Sequence, residues 1–218
     1  MYPQIVMRKV QRRNGGNLKQ NLQIKVYGWF YHSVCKRNYH KAFSDFSKIS
    51  AKVKEEYRNV ILRAKDIGNS KLLNAYCMAA YFIAMNRCTG LSPEENFELF
   101  KDGLYNSVLL RKVMGDADTY LAPRKLPGRR KWAEESHKRK YENDWVVDVL
   151  EGNGQYELGY DYHECGICRL CQDEGCFELA KYLCRLDFVL ADIMGMDLFR
   201  TQTIAEGADF CDFRYKKR

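Results

Sequence analysis

"WVVDVLEGNGQYELGYDY", residues 145–162, decides the fold. A short apolar run, Trp145–Leu150, leads into turn chemistry at Glu151–Gly154. Strict alternation then sets Tyr156, Leu158, Tyr160 and Tyr162 on one side of the chain. Apolar residues at every second position, flanking a Gly/Asn turn, predict a β-hairpin with one buried face. Further on, a helix is expected over roughly 173–182 and another over 184–194. The apolar stripe of the second is Leu186, Val189, Leu190, Ile193 and Met194, and Gly195 stops it. "MDLFRTQTI" (196–204) and "FCDFRY" (210–215) read as two more strands, the last alternating Cys211, Phe213 and Tyr215 against Phe210, Asp212 and Arg214. The sum is a four-stranded antiparallel sheet with two helices inserted between its hairpins.

Upstream the period changes to that of helices. Leu22, Val26, Trp29, Phe30 and Val34 form one stripe, and a second helix over about 45–66 buries Phe46, Ile49, Val53, Tyr57, Val60, Ile61 and Ala64. A third runs from about Ser70 to Arg87. Ser92, Pro93 and Glu95 then spell a capping box with proline at the first helical position. Residues 121–144 hold two of the four prolines and a dense basic run, and read as a connector with a short helix near 130–140. The fold class is therefore α+β: a helical part over 1–120, a basic connector over 121–144, and a sheet-bearing part over 145–218, expected to form one unit.

The 218 residues, 46% hydrophobic and 29% charged, suit a globular chain. The longest apolar run, 75–85, is too short for a membrane span, and the first 17 residues lack the apolar segment of a secretory signal. A cytoplasmic address and no membrane partner are the expectation. Net charge is +11 over residues 1–66 and −6 over 145–218. The basic third is read as solvated helix surface in preference to a nucleic-acid face. A homo-oligomer is left open.

Nine cysteines, an odd number, point to thiols or ligands in place of disulfides. Cys165, Cys168, Cys171 and Cys176 follow C-x2-C-x2-C-x4-C, near the spacing of an iron–sulfur run, and four such thiolates could also hold zinc. His163 stands two residues before the first. Against a metal, no second paired-cysteine knuckle exists, and "RLCQDEGCFELAKYL" reads as helix. The thiol alternative starts from Cys184 and Asp187, which share a helix face at i and i+3. A helix starting near Cys184 would favour its thiolate, and Asp187 would oppose it unless it binds a cation.

The stretch from Tyr162 to Tyr215 resembles the L-2-amino-thiazoline-4-carboxylic acid hydrolase family. In that family a strand ends in Cys, a helix leads to C-x2-D, and R-T-x-T-x-x-x-G-x-x-x-C-x-F closes the domain. The matching residues are Cys165, Cys184 with Asp187, then Arg200, Thr201, Thr203, Gly207, Cys211 and Phe213. The match is detailed over about 145–218 and diffuse before it. Cys168, Cys171 and Cys176 fall outside the pattern, as do His32, Cys35 and His40.

The resemblance implies hydrolytic opening of a 2-aminothiazoline ring to a carbamoyl-cysteine, without a cofactor. Carbon 2 of that ring is amidine-like, so a thiolate can attack it and expel the ring sulfur. Cys184 or Cys165 is the expected nucleophile and Asp187 the amidinium binder and base. Arg200, Thr201, Thr203, Gly207 and Cys211 are the expected substrate-binding set, with Arg200 suited to the substrate carboxylate and Gly207 to a turn. A water-only mechanism with structural cysteines stays open. The competing class is a non-catalytic small-molecule-binding or thiol/metal-sensing module, with zinc or an iron–sulfur cluster on Cys165, Cys168, Cys171 and Cys176.

Overall fold

The computed structural model describes residues 18–218. The segment 1–17, read above for its charge and lack of a secretory signal, lies outside the described residues. Helices α1 (Leu18–Ala42), α2 (Phe46–Arg63), α3 (Leu73–Cys88) and α4 (Pro93–Asn106) are followed by the shorter α5 (Val108–Met114), α6 (Ala117–Leu121) and α7 (Leu126–Ser136). Then come β1 (Val146–Glu151), β2 (Leu158–Glu164), α8 (Gly166–Asp173), α9 (Ala180–Ile193), β3 (Met196–Phe199) and β4 (Cys211–Lys217). The expected α+β architecture is present, with both inserted helices between β2 and β3.

The apolar run at 75–85 is the middle of α3, buried on every side from Tyr76 to Met85. A helix apolar all round needs partners all round, and α1, α2, α4 and α8 supply them. No described helix is long and apolar enough to cross a membrane. The capping box of α4 is complete: the Ser92 hydroxyl accepts from the Glu95 N–H, and the Ser92 N–H donates to Glu95 Oε2 at 2.8 Å.

All strand pairs are antiparallel, in the order β1-β2-β4-β3. Register places Val147 beside Tyr162 and Tyr162 beside Cys211, then Val149 beside Tyr160 and Tyr160 beside Phe213. This inner face packs on Ala191 and Met194 of α9, Ala117 of α6 and Ala133 of α7. The outer face is polar: Asp161 pairs with Arg214 at 2.7 Å, and Asp148 takes His137 and His163 at 2.8 Å each.

Three expectations need correction. The stripe on α1 is largely on the wrong face: Leu22, Val26 and Trp29 are exposed, while Ile24, Gly28, Tyr31, His32, Cys35, Asn38 and Tyr39 turn inward. Polar residues are tolerated there because they are bonded, His32 Nδ1 to Tyr81 Oη at 3.1 Å and Asn38 to the Leu99 carbonyl at 2.8 Å. The helix expected at 173–182 lies instead at 166–173. It ends in a Schellman turn, with Gly175 at φ +66° and the Cys176 N–H on the Cys171 carbonyl at 2.8 Å. β3 stops at Phe199 and does not run to 204, because the Asp212 carboxylate captures the Thr201 and Gln202 N–H groups at 2.9 and 2.8 Å.

Gly28 marks the closest approach of α1 and α2: a Cβ there would stand 2.3 Å from Cε1 of Tyr57. The Tyr57 ring cannot yield easily, since it is buried and its hydroxyl donates to the Ile24 carbonyl at 2.8 Å. Gly28→Ala, which in an open helix would stabilise by ~1 kcal/mol, is therefore expected to destabilise by about 1–3 kcal/mol. Denaturant unfolding of the two proteins checks the sign.

Candidate active site

A cavity of about 280 Å³ lies between the inner face of the sheet, α9 and the start of α3. Cys165, Cys184, Asp187 and Cys211 all line it, together with Tyr162 and Phe213. Four of the residues singled out by sequence are thus gathered on one wall system from β2, α9 and β4.

Cys165 is the N-cap of α8, in extended conformation at φ −122° and ψ 115°. Its side chain closes no capping hydrogen bond. It nevertheless sits where a helix N-terminus favours negative charge. The Cys168 thiol holds the Cys165 thiol below its ordinary value, against the opposing effect of burial. The helix start anticipated at Cys184 is therefore found at Cys165. Cys184 lies in the second turn of α9, which begins at Ala180. Burial, and after it the Asp187 carboxylate, push the Cys184 thiol up. Cys211 accepts the Ile204 N–H at 3.2 Å and is pushed up to about 11, chiefly by burial.

Asp187 is half-buried, and the exposure it keeps is to the cavity. Burial raises its carboxyl to about 6, with Arg200 pulling in the opposite direction. Arg200 is 6% exposed at its side chain; it meets Asp187 Oδ2 at 3.0 Å and the Cys184 carbonyl at 3.1 Å. Its guanidinium lies between the rings of Phe188 and Phe213, 4.7 and 4.9 Å from their centroids. Arg200 is thus a brace for Asp187 and does not line the cavity.

Thr201, Thr203 and Gly207 do not line it either. Thr201 donates to Asp212 Oδ2 at 2.7 Å, and buried Thr203 donates to Glu206 Oε2 at 2.7 Å. Gly207, at φ +93°, closes the short 3-10 turn at Ile204–Glu206. Together they hold the β3–β4 connection, which places Arg200 behind Asp187 and Cys211 beside the cavity.

The four clustered cysteines divide into two pairs. Cys168 interacts with Cys165, and Cys171 with Cys176. His163 points to the outer face, bonded to Asp148. Among the described residues no three His, Cys, Asp or Glu side chains converge in a way that could hold a metal ion. As placed, these donors do not fit a tetrahedral site.

Sequence reasoning missed the cation of the cavity. Lys71, in the turn before α3, lines it, and its ammonium donates to the Gly128 carbonyl at 2.7 Å. Lys71 also lines an adjoining open pocket with Arg124, Lys125, Arg129, Tyr120 and Trp132, and no carboxylate borders that pocket. The basic run at 124–131 is visible in the sequence, but its meeting with Lys71 is not. The two become a basic mouth only when α7 folds beside the turn that precedes α3.

Fold and cavity together define an α+β protein with a thiol-lined cavity. The chain belongs to the L-2-amino-thiazoline-4-carboxylic acid hydrolase family, whose model matches residues 70–215. A hydrolase-like function follows at the level of the family. The match takes in α3 through α7 as well as the sheet, so it includes Lys71 and the basic mouth. Neither the curated proteins nor the solved structures returned a match.

The Asp187–Arg200 contact has a measurable sign. Because Arg200 draws the Asp187 carboxyl down from where burial alone would set it, Arg200→Ala should move its titration upward from about 6. Arg200→Lys should restore part of the shift. Carbon-13 NMR of the labelled carboxyl follows both, and an unmoved titration would contradict the pairing.

Proposed function

We propose that the chain hydrolyses cyclic amidines of the L-2-amino-thiazoline-4-carboxylate type, with Cys165 as nucleophile and Asp187 as its carboxylate partner. One observation carries this reading: Cys165, at the start of α8, and Asp187, titrating near 6, border the same cavity. Cys184, whose thiol is held in its neutral form by burial and Asp187, is a wall of the site in this reading.

The Asp187 carboxylate binds the protonated amidine, which raises the electrophilicity of carbon 2. The Cys165 thiolate adds to that carbon, and the carbon–sulfur bond of the ring breaks, releasing the substrate's own thiolate to take a proton. The remaining isothiouronium stays bonded to Cys165. Water, deprotonated by Asp187, adds to the same carbon and expels the Cys165 thiolate, leaving a carbamoyl group on the cysteine nitrogen. The net change is the addition of one water. Lys71 anchors the substrate carboxylate, since Arg200 is committed to Asp187.

Mass spectrometry of the reaction mixture should show carbamoyl-cysteine formed by metal-free, reduced protein. Cys165→Ala should lower kcat/KM by ~10³-fold or more, while Cys184→Ala stays within about tenfold of wild type. Equal loss in both would remove Cys165 from its role. The rate should fall as pH drops through about 6, because only the ionised Asp187 carboxylate binds the amidinium.

Lys71→Ala is expected to raise KM by roughly 10–100-fold with little change in kcat, the loss of a charge-assisted hydrogen bond worth ~1.5–3 kcal/mol. Initial rates over a range of substrate concentrations separate the two parameters. A loss confined to kcat would remove Lys71 as the carboxylate anchor.

A further inference from the structure

Cys165 is reached from two sides. Besides the inner cavity, it borders an open polar groove of about 250 Å³ whose lining also includes Cys168, His163, Glu164 and Arg169. The two cysteines stand at the N-cap and the third residue of α8, one helical turn apart, and both line this groove. The backbone there is firmly seated. A Cβ on Gly166 would meet the Asn143 carbonyl at 2.4 Å and the Trp145 ring at 2.8 Å, and Asn143 is itself buried and bonded to Asp173 at 2.8 Å. Cys165 is half-buried and Cys168 is 3% exposed, so Cys165 is the more accessible residue of the two.

We propose that Cys165 and Cys168 form a thiol–disulfide exchange site whose co-substrate is a small disulfide of the glutathione class. A C-x2-C pair astride a helix start, one residue partly exposed and the other buried, has the division of labour that exchange requires. The Cys165 thiolate attacks one sulfur of the small disulfide, forms a mixed disulfide and releases one small thiolate. The Cys168 thiol then loses its proton and attacks the Cys165 sulfur, closing the protein disulfide and releasing the second small thiolate. Two protein thiols are oxidised and one disulfide is reduced to two thiols. The same sulfur proposed as nucleophile of the hydrolase is thereby occupied, so the oxidised form cannot open the ring.

The coupling to activity rests on the proposed function, but the exchange itself does not, and the two can fail separately. Reduced full-length protein is incubated with glutathione disulfide, quenched by alkylation and cleaved with trypsin. Cleavage after Arg169 puts Cys165 and Cys168 in the peptide 141–169, and Cys171 and Cys176 in 170–181. The expected product is an internal disulfide in 141–169, formed before any in 170–181 and reversed by dithiothreitol. In Cys168→Ala, glutathione should remain attached to Cys165. A mixed disulfide that persists in the wild type, or oxidation of 170–181 first, would overturn the proposal. Should Cys168→Ala fail to fold, the wild-type peptide map decides alone. Where hydrolysis is measurable, it should decline in step with the internal disulfide and return on reduction.

Discussion

The demand that α3 be enclosed on all sides organises the molecule. Its sequence offers no solvent-facing stripe, so helices must pack on it from every direction. α1, α2 and α4 come from the helical part, but the remaining side is closed by α8, which belongs to the sheet-bearing part. Around the junction, Glu174, 5% exposed at its side chain, receives Arg63 of α2 and Arg87 of α3 at 2.7 and 2.6 Å. The C-terminal end of α8 is therefore held by the helical core, while its start, at Cys165, follows directly on a strand. The cavity is the seam where these two demands meet.

Within that seam the electrostatics are divided between neighbours. A carboxyl in low dielectric tends to stay protonated, and Arg200 returns Asp187 to a range where both of its forms are accessible near neutral pH. Arg200 is in turn fixed by two rings and a carbonyl, and the β3–β4 connection is fixed by the Asp212 clip on Thr201 and Gln202. The motif residues that do not touch the cavity are thus linked to it by a short mechanical chain. Removing any link would be felt at Asp187 before it was felt in global stability.

The sheet was legible because β alternation is a local pattern: the pairing of Tyr160 with Phe213 and of Tyr162 with Cys211 only realises an order already present in each strand. The capping box at Ser92 was legible for the same reason. The buried face of α1 was not, because hydrophobicity favoured Trp29 and Leu22, whereas packing selected Gly28, His32 and Asn38, which have partners only in the folded chain. The position of α8 was missed although Gly175 offered a stop signal, since a cysteine-rich run has little intrinsic helix preference. At the site, the sequence could nominate Cys165, Cys184, Asp187 and Cys211. It could not tell that Arg200 would be bound to Asp187, or that Lys71 would face the cavity, because both depend on contacts between distant segments.

The strand order has a kinetic side. β4 is the last strand along the chain but lies between β2 and β3, so β3 has no partner until β4 has been made. During synthesis the β1–β2 hairpin and the helical bundle can form first. Through that interval the free edge of β2, the unpaired β3 and the apolar face of α9 stay uncovered, the condition in which growing chains are prone to association. The wall of the cavity that Cys211 and Phe213 provide is likewise the last to arrive. Any chemistry at Cys165 would begin only when the final strand slides into the middle of the sheet.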